Sequence, residues 1–315
     1  MLEFKSQHEI NSFGIRNASG KTKRKDGPNL KTSKGKTTMN VIITLLIILI
    51  IFILFVIFLI APGKYQKSMV APLQYKNYAH RGLHNKSKTI PENSMAAFRK
   101  AVEHGYGIEL DIQFTKDEQI VVFHDDNLSR VCGIDNRLDS YTYEELRQFS
   151  LCNTNEHIPL FIDVLKMIDG KVPLIVELKN GPKNKLLCEK TYEILKNYHG
   201  DFCVESFQPL IVAWFKKNAP EILRGQLSAG PEEFKKQLTK LQAFAISRVL
   251  TNIVARPHFI AYHKNKSAWL VKLSELLGAI PAVWTIRDND DSAYYEKTND
   301  MVIFEFYSPK VNYKK

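Results

Sequence analysis

Two histidines and one arginine are the first candidates for chemistry in this sequence. His80 and His124 each end a short apolar run, and Arg81 directly follows the first of them. One imidazole can take a proton from an attacking oxygen while the other gives a proton to a leaving oxygen. The guanidinium of Arg81 fits two oxygens of a phosphate group. A lone histidine at a strand end is more often structural, but this acid, base and cation together are typical of phosphate diester hydrolysis.

Three carboxylates in two predicted strands are candidates for a metal site. Glu109 and Asp111 are two residues apart, so their side chains point to the same face of a strand. Burying both acids would be costly without a cation. Glu177 ends a separate apolar run and can complete an all-oxygen set, which favours one hard divalent cation, Mg²⁺ or Ca²⁺. The alternative is a solvated edge strand that exposes its acids.

Two further residues near strand ends are candidates for substrate binding. Lys179 lies two residues after Glu177 on the same face and can bind a phosphate oxygen, although charges at strand ends are common. Trp284 lies near the end of the run AVWTI and can line a ligand pocket, although a place in the core fits it equally well. The sequence has no glycine-rich nucleotide loop and no GxSxG motif, so a nucleotide cofactor and a serine nucleophile are unsupported.

The elements that must position these residues alternate between short apolar runs and longer amphipathic segments from Lys76 to Pro309. This alternation predicts a parallel α/β fold. The length suits a (β/α)8 barrel, in which functional residues lie at the carboxyl ends of the strands. A doubly wound open sheet is the second possibility. The best-marked helix follows Pro91, with Asn93 as its predicted cap and Gly105 as its end.

The predicted strands are 77–80, 107–114, 120–124, 172–178, 202–207, 223–227, 244–247, 259–262, 282–286 and 301–304. The predicted helices are 93–104, 143–148, 160–168, 183–198, 209–217, 231–241, 268–277 and 292–297.

One segment before this region predicts a transmembrane signal anchor. Val41–Ala61 carries no charge and only one polar side chain, Thr44. At about 1.5 Å per residue, a helix of this length crosses a bilayer core of about 30 Å. A cleaved signal peptide would have a shorter apolar region nearer the amino terminus, and a buried globular helix would not be apolar on every face.

The flanks of this segment predict its orientation. Residues 1–40 form a predicted disordered tail with nine Lys/Arg and three acids, and 62–75 is predicted to be a short stalk. Because basic flanks stay in the cytoplasm, we expect a cytoplasmic amino terminus and an extracellular catalytic domain over residues 76–310. The lysines of the tail either contact anionic lipid or only set the topology.

The overall composition is basic, with a formal net charge of +11. The basic block has no interleaved aromatic residues and no recognisable nucleic-acid module, so a membrane surface explains it better than a nucleic acid. Four cysteines are widely spaced without a CxxC motif, which predicts mostly free, buried thiols and makes a disulfide the less favoured reading.

Taken together, these motifs resemble the glycerophosphodiester phosphodiesterase family. The resemblance implies a (β/α)8 barrel, a divalent-metal site at Glu109, Asp111 and Glu177, and an acid/base pair at His80 and His124. It also implies that Arg81 and Lys179 contact phosphate. Ser94 stands where the family commonly has threonine. The stretch 129–159 lies where family members vary, so the resemblance implies that it covers the mouth of the site. The matching pieces, in family order, are His80-Arg81-Gly82, Pro91-Glu92-Asn93-Ser94, Ala97-Phe98, Glu109-Leu110-Asp111, Thr115-Lys116-Asp117, Val122-Phe123-His124-Asp125, Glu177-Leu178-Lys179 and Trp284-Thr285.

The activity that the resemblance implies is hydrolysis of a glycerophosphodiester to sn-glycerol 3-phosphate and an alcohol. The path would begin with attack of the glycerol 2-hydroxyl on phosphorus, and water would then open the cyclic phosphate. One alternative is lysophospholipase D-type hydrolysis of lysophospholipids at the membrane. A related one is hydrolysis of an external polymer such as teichoic acid. Another is a non-catalytic, membrane-anchored binding protein. Neither alternative requires a nucleic acid or an obligate protein partner.

Overall fold

The computed structural model describes residues 30–235, 238–264 and 268–313, with side chains from residue 36 onward. The nine strands are β1 Lys76–His80, β2 Gly107–Phe114, β3 Ile120–Val122, β4 Leu174–Leu178, β5 Phe202–Ser206, β6 Arg224–Ser228, β7 Phe259–His263, β8 Ile280–Ile286 and β9 Met301–Phe304. The α-helices are α1 Leu30–Ile60, α2 Lys67–Val70, α3 Met95–Glu103, α4 Ser129–Cys132, α5 Tyr143–Leu146, α6 Phe161–Ile168, α7 Asn184–Leu195, α8 Pro209–Asn218, α9 Lys240–Ser247, α10 Asn252–Ala255, α11 Trp269–Leu276 and α12 Ser292–Thr298.

Eight of the strands close into a parallel barrel, as the alternation of elements predicts. The order runs β1-β9-β8-β7-β6-β5-β4-β2, and β1 also pairs with β2, which closes the cylinder. The short strand β3 adds to β2 in the antiparallel direction. The closure excludes the open sheet, and it brings all the carboxyl ends of the eight parallel strands to one end of the barrel.

The strands divide the buried residues between the barrel interior and the layer under the helices. On β2, Ile108, Leu110 and Ile112 pack with Phe98 of α3 in the outer layer. Alternate positions point inward, where Ile175, Cys203, Phe259 and other buried apolar residues form the interior. Glu109 and Asp111 alternate with the outer residues of β2 and therefore point inward, as the two-residue spacing predicts.

The first helix of the barrel begins two residues later than predicted. Its cap is Ser94, whose side chain accepts a hydrogen bond from the Ala97 amide at 3.1 Å, and not Asn93. Asn93 has a positive φ of 52° and donates instead to Asp111. Gly105 follows the helix with φ 74°, as expected for its end. Because two potential capping residues are adjacent, the sequence alone could not choose between them.

One predicted strand is wrong. Residues 244–247 lie in α9. In place of the helix predicted over 231–241, the described residues form a 3₁₀ turn at Pro231–Phe234 and the start of α9 at Lys240. Thr239 and Gln242 form a reciprocal capping box that starts α9 at Lys240. The short apolar run FAIS continues this helix, whose start signal was overlooked in the sequence. Four residues are too few for their periodicity to distinguish a helix from a strand.

The apolar segment forms a helix that starts earlier than predicted. Within α1, Lys36–Ile60 is long and apolar enough to cross a membrane. The helix already begins at Leu30, inside the segment predicted to be disordered, and residues 1–29 of that segment lie outside the described residues. The Lys, Thr and Ser residues between the start of the helix and the start of the apolar run are compatible with a helix. The first apolar residue therefore did not mark the first residue of the helix.

The predicted stalk is part of the barrel unit. Val70 and Leu73 are buried with the interior residues at the amino ends of the strands. The Tyr78 hydroxyl donates to the Leu73 carbonyl at 2.7 Å. The segment therefore closes the end of the barrel opposite the carboxyl ends of the strands. All four cysteines are free, as predicted, but only Cys188 and Cys203 are buried, whereas Cys132 and Cys152 are partly exposed.

Candidate functional site

The predicted polar residues come together at the carboxyl ends of the strands. His80 pairs with Glu109 across β1 and β2, and Asp111 pairs with Glu177 across β2 and β4. Because paired residues on parallel strands point to the same side, these side chains all enter the barrel interior near the carboxyl ends of the strands. His80, His124, Glu109 and Glu177 line one cavity of about 180 Å³.

Glu109, Asp111 and Glu177 form a compact, buried carboxylate cluster. One oxygen from each lies within 4.8 Å of the others, and the three residues are at most 7% exposed. Burial, then Asp111 and Glu177, raise the pKa of Glu109 well above its usual value, and burial raises the pKa of Glu177. Three converging acids that repel one another in a dry site fit a divalent cation with oxygen ligands. These residues would hold the metal that the resemblance implies.

Lys179 lies against this carboxylate cluster. Its Nζ is 2.8 Å from Glu177 Oε1 and 3.2 Å from Asp111 Oδ1. Burial would lower the pKa of Lys179, but Glu177 and Asp111 outweigh it and raise the pKa above its usual value. Burial also opposes the charge of Asp111, yet Lys179, His124 and Arg81 hold the pKa of Asp111 well below its usual range. Lys179 therefore remains charged beside the cluster.

Arg81 is held by backbone and side-chain contacts at the rim of the same site. Its φ of 55° turns its amide toward Glu109 Oε2, at 2.9 Å. Its guanidinium donates to Glu92 Oε1 at 2.6 Å and lies 3.5 Å from Asp111 Oδ2. Gly82 follows with φ 77°, and a Cβ there would lie 2.9 Å from the Ala97 Cβ, so only glycine fits this turn.

His80 is held between two carboxylates. Its Nδ1 is 3.3 Å from Glu305 Oε1, and its Nε2 is 3.9 Å from Glu109 Oε2. Burial and Arg81 lower the pKa of His80 to about 4, so the ring is neutral near pH 7. With Glu305 accepting from Nδ1–H, Nε2 carries the lone pair that faces the cavity.

Glu305 is a site residue that the sequence analysis missed. It follows β9 and also contacts His84 Nε2 at 3.1 Å and Arg287 Nε at 2.8 Å. Burial would raise the pKa of Glu305, but hydrogen bonds from His80 and His84 hold it well below its usual value. An acid directly after the apolar run MVIF was a visible signal, of the same kind as Glu177.

His124 has a matching arrangement on the other side of the cavity. Its Nδ1 is 2.6 Å from Asp125 Oδ1, and Asp125 Oδ2 accepts from Arg130 Nε at 2.6 Å. Arg130 also donates two hydrogen bonds to Glu92, which links this side to Arg81. The stretch 129–159, predicted to cover the site mouth, thus contributes Arg130 to the rim.

The opposite wall of the cavity is aromatic. Trp284 lines the cavity with Phe207 and His263, and the ring centroids are 5.6 Å and 4.9 Å from that of Trp284. The Trp284 indole donates to the Ala261 carbonyl at 3.0 Å, which fixes the ring. This apolar wall faces the charged half of the site and can pack against the carbon atoms of a ligand.

Glu205 is a second acid that the sequence analysis missed. It lies on β5 directly beside Glu177 in the strand register, is 2% exposed and lines the same cavity. Burial, then Glu177 and Asp111, raise the pKa of Glu205 well above its usual value. The sequence offered a signal, because Glu205 is an acid in the apolar run FCVESF. Serine and phenylalanine follow it, so Glu205 was not recognised as a polar residue near a strand end.

Comparison with known proteins places the same residues inside one family match. Residues 80–305 match the glycerophosphoryl diester phosphodiesterase family. A glycerophosphodiester phosphodiesterase of Caldanaerobacter subterraneus is 32% identical over 188 residues, covering 56% of this chain and 76% of that protein. A human lysophospholipase D is 33% identical over 137 residues, covering 39% of this chain and 42% of that protein.

Solved structures share the barrel. An Oleispira antarctica phosphodiesterase in complex with the product sn-glycerol-3-phosphate has a TM-score of 0.60 and 24% identity, covering 75% of this chain and 94% of that chain. A Silicibacter pomeroyi structure, named as a glycerophosphoryl diester phosphodiesterase, has a TM-score of 0.60 and 20% identity, covering 78% of this chain and 92% of that chain. At these identities the two structures speak for the fold alone.

Proposed function

The chain belongs to the glycerophosphoryl diester phosphodiesterase family, and from this premise we propose that His80 and His124 exchange protons with a glycerophosphodiester bound in the barrel mouth. The observation that carries the proposal is the matched pair of imidazoles, each with Nδ1 on a carboxylate and each lining the same cavity. The products would be sn-glycerol 3-phosphate and an alcohol.

The surroundings of the two rings support different roles in the first step. His80 is neutral near pH 7, so its Nε2 accepts the proton of the glycerol 2-hydroxyl as that oxygen bonds to phosphorus. His124, whose Nδ1 contacts Asp125, donates a proton to the alcohol oxygen as its bond to phosphorus breaks. Water then adds to the cyclic phosphate with the proton transfers reversed, and the bond to the 2-oxygen breaks.

The cations around the carboxylate cluster support binding of the phosphate group. Arg81 and Lys179 both lie at the cluster and can each direct hydrogens toward phosphate oxygens. A divalent ion held by Glu109, Asp111 and Glu177 would supply Lewis-acid stabilisation of the negative charge on phosphorus-bound oxygens. Trp284 and Phe207 would pack against the glycerol carbons.

The lysophospholipase D alternative has one supporting observation. The human relative carries that activity in its name and matches this chain over 137 residues. The same proton transfers would release lysophosphatidic acid and free choline from lysophosphatidylcholine. The two functions therefore differ in whether the glycerol of the substrate that reaches the cavity carries an acyl chain.

We further propose that α1 anchors the enzyme in a membrane as a single pass. Its apolar side chains from Val41 to Phe55 are about half exposed, which is unfavourable in water. The excess of Lys/Arg on the amino-terminal side of the apolar run supports a cytoplasmic amino terminus and an extracellular barrel.

The roles of the two histidines are tested with substrates that differ only in the leaving group. For glycerophosphocholine, both His80→Ala and His124→Ala should lower kcat by about 10²–10⁴-fold. The analogue with a 4-nitrophenyl leaving group needs no proton on that oxygen. It should restore much of the rate to His124→Ala but not to His80→Ala, as measured by release of 4-nitrophenolate.

The exposed His199→Ala is the matched control and should leave both rates unchanged. Cooperative melting with near-normal activity in His80→Ala or His124→Ala would contradict the assignment. Treatment with EDTA should abolish hydrolysis of glycerophosphocholine, and Mg²⁺ or Ca²⁺ should restore it. Choline release from lysophosphatidylcholine alone would favour the lipid substrate.

A further inference from the structure

Glu205 is placed to reach the carboxylate cluster from the neighbouring strand. It is the register partner of Glu177 on the adjacent parallel strand β5. Neighbouring strands lie about 4.8 Å apart, and register partners direct their side chains to the same side of the sheet. Cys203, two residues earlier, belongs to the interior of the barrel, so Glu205 points inward as well. The carboxylate therefore enters the cavity beside Glu177.

One oxygen of Glu205 has no partner among the described residues. Glu205 is 98% removed from solvent, and its Oε2 makes no hydrogen bond there. Leaving a buried carboxylate oxygen unpaired costs on the order of 1–3 kcal/mol or more. The nearby ammonium of Lys179 is already hydrogen-bonded to Glu177 and lies 3.2 Å from Asp111. A partner for Glu205 must therefore come from outside this set of side chains.

The charges around the cavity indicate the sign of that partner. Glu109, Asp111, Glu177 and Glu205 place four acids in the interior at this end of the barrel. In the part of the chain that the structure describes, the permanently charged cations in ion pairs with them are Arg81 and Lys179. The four acids outnumber these two cations, and Arg81 is also paired with Glu92, so a further cation fits the unpaired oxygen of Glu205.

We propose that Glu205 contributes a fourth carboxylate to the cation site, beyond Glu109, Asp111 and Glu177, and biases the site toward Ca²⁺. Ca²⁺ accepts six to eight oxygen ligands in irregular geometry, whereas Mg²⁺ requires a near-ideal octahedron and keeps several waters. A fourth carboxylate from a separate strand adds charge and ligand oxygens at the cost of regular geometry. This bias concerns the cation site of the proposed function, but it does not depend on which diester is hydrolysed.

The test is calorimetric titration of the full-length protein, freed of metal with a chelator and held in lipid nanodiscs, with Ca²⁺ and separately with Mg²⁺. Glu205→Gln keeps the shape of the side chain and removes its charge. It should weaken Ca²⁺ binding by about tenfold or more, and Mg²⁺ binding by less. Glu205→Asp keeps the charge but shortens the reach, so its loss of Ca²⁺ affinity should be smaller.

Glu232→Gln is the matched control, because it makes the same chemical change at a side chain that is 71% exposed. Its Ca²⁺ and Mg²⁺ affinities should equal those of the wild type. Thermal unfolding of each variant checks folding, and if Glu205→Gln does not fold, Glu205→Asp decides by the same criterion.

Other outcomes would overturn the proposal or separate it from the proposed function. Unchanged Ca²⁺ affinity in a folded Glu205 variant, or the absence of cation binding by the wild type, excludes a role at a cation site. An increase in KM at unchanged cation affinity would assign Glu205 to a substrate hydroxyl instead. Loss of Ca²⁺ binding in Glu205→Gln, together with a wild type that hydrolyses no glycerophosphodiester, would retain the cation site and reject the proposed function.

Discussion

At the scale of single residues, the two histidines share one arrangement built from different parts of the chain. His80 is held by Glu305 from β9, while His124 is held by its neighbour Asp125. Each carboxylate is placed to accept a hydrogen bond from Nδ1–H, which leaves Nε2 for the cavity on both sides. The carboxylates are themselves held by Arg287 and Arg130, respectively.

Glu92 connects the two sides of the site, and its contacts predict a pH-dependent stability. Burial opposes its charge, but Arg130 and Arg81 outweigh burial and lower the pKa of Glu92 from 4.5 to about 2. A carboxyl whose folded pKa is depressed stabilises the protein above its unfolded pKa, and this contribution is lost as the pH falls toward the folded pKa. We expect Glu92→Gln to lower the free energy of unfolding by about 3 kcal/mol near pH 7.

The difference between wild type and Glu92→Gln should shrink as the pH falls from 4.5 to about 2. Urea unfolding at a series of pH values measures it. Glu144→Gln, at a side chain that is 73% exposed, should show almost no difference at any pH. A difference for Glu92→Gln that stays constant down to pH 2 would argue against this ion-pair account.

At the scale of elements, the loop between β1 and α3 shapes half of the site. Arg81, Gly82 and Asn93 all have positive φ, and each places a group on the carboxylate cluster or next to α3. Arg81 directs its amide to Glu109, and Asn93 donates to Asp111. These unusual conformations cost free energy, and the hydrogen bonds that they permit keep the loop in place.

Gly82→Ala tests the constraint on this loop. Alanine would have to adopt φ 77° with its Cβ 2.9 Å from the Ala97 Cβ, so we expect a loss of about 1–3 kcal/mol in the free energy of unfolding. The rate should fall as well, because Arg81 is the adjacent residue. Denaturant unfolding and steady-state kinetics measure the two effects.

Gly230→Ala is the control, since Gly230 has φ −58° and a Cβ there would meet nothing within 4 Å. It should leave stability and rate nearly unchanged. Equal effects of the two substitutions would show that the positive φ and the close approach at Gly82 do not matter.

At the scale of the whole barrel unit, the end of α1 is fixed to the barrel at the amino ends of the strands. Asn252 and Ser274 donate to the Ile60 carbonyl at 2.9 and 2.8 Å. Arg256 donates to the carbonyls of Phe58 and Ala61 at 2.7 and 2.8 Å. These bonds satisfy carbonyls that the end of a helix leaves unpaired. The proposed catalytic residues lie at the opposite, carboxyl ends of the strands.

If α1 crosses a bilayer as proposed, the amino end of the barrel should lie nearer the lipid than the cavity. Leu276 is 84% exposed on α11, two residues after Ser274, while Asn289 is exposed beyond the carboxyl end of β8. In nanodiscs with chain-brominated lipids, we expect a fluorophore on Leu276→Cys to be quenched more strongly than one on Asn289→Cys. Cys132 and Cys152 are first replaced by serine, because both are partly exposed.

Equal quenching of the two labels, or stronger quenching at position 289, would contradict this placement. A detergent sample without brominated lipid controls for intrinsic differences in fluorescence. The expected result would favour substrates that arrive from the aqueous phase over lysophospholipids in the bilayer that holds α1.

The sequence by itself determined the polar residues on the strands and the parallel α/β alternation. Glu109, Asp111 and Glu177 were predictable because two-residue periodicity fixes the face of a strand, and strand–helix alternation fixes a common end for the carboxyl termini. The length and apolarity of Val41–Ala61 likewise identified α1, although not its start.

Only the tertiary structure decided which distant residues meet. Glu305 contacts His80 across 225 positions of the chain, and Glu205 lies beside Glu177 through the pairing of β4 and β5. Closing the barrel brings these strand ends together, and no local pattern encodes that closure. The capping choice at Ser94 was also decided by packing and hydrogen bonds, because short segments carry signals for more than one local structure.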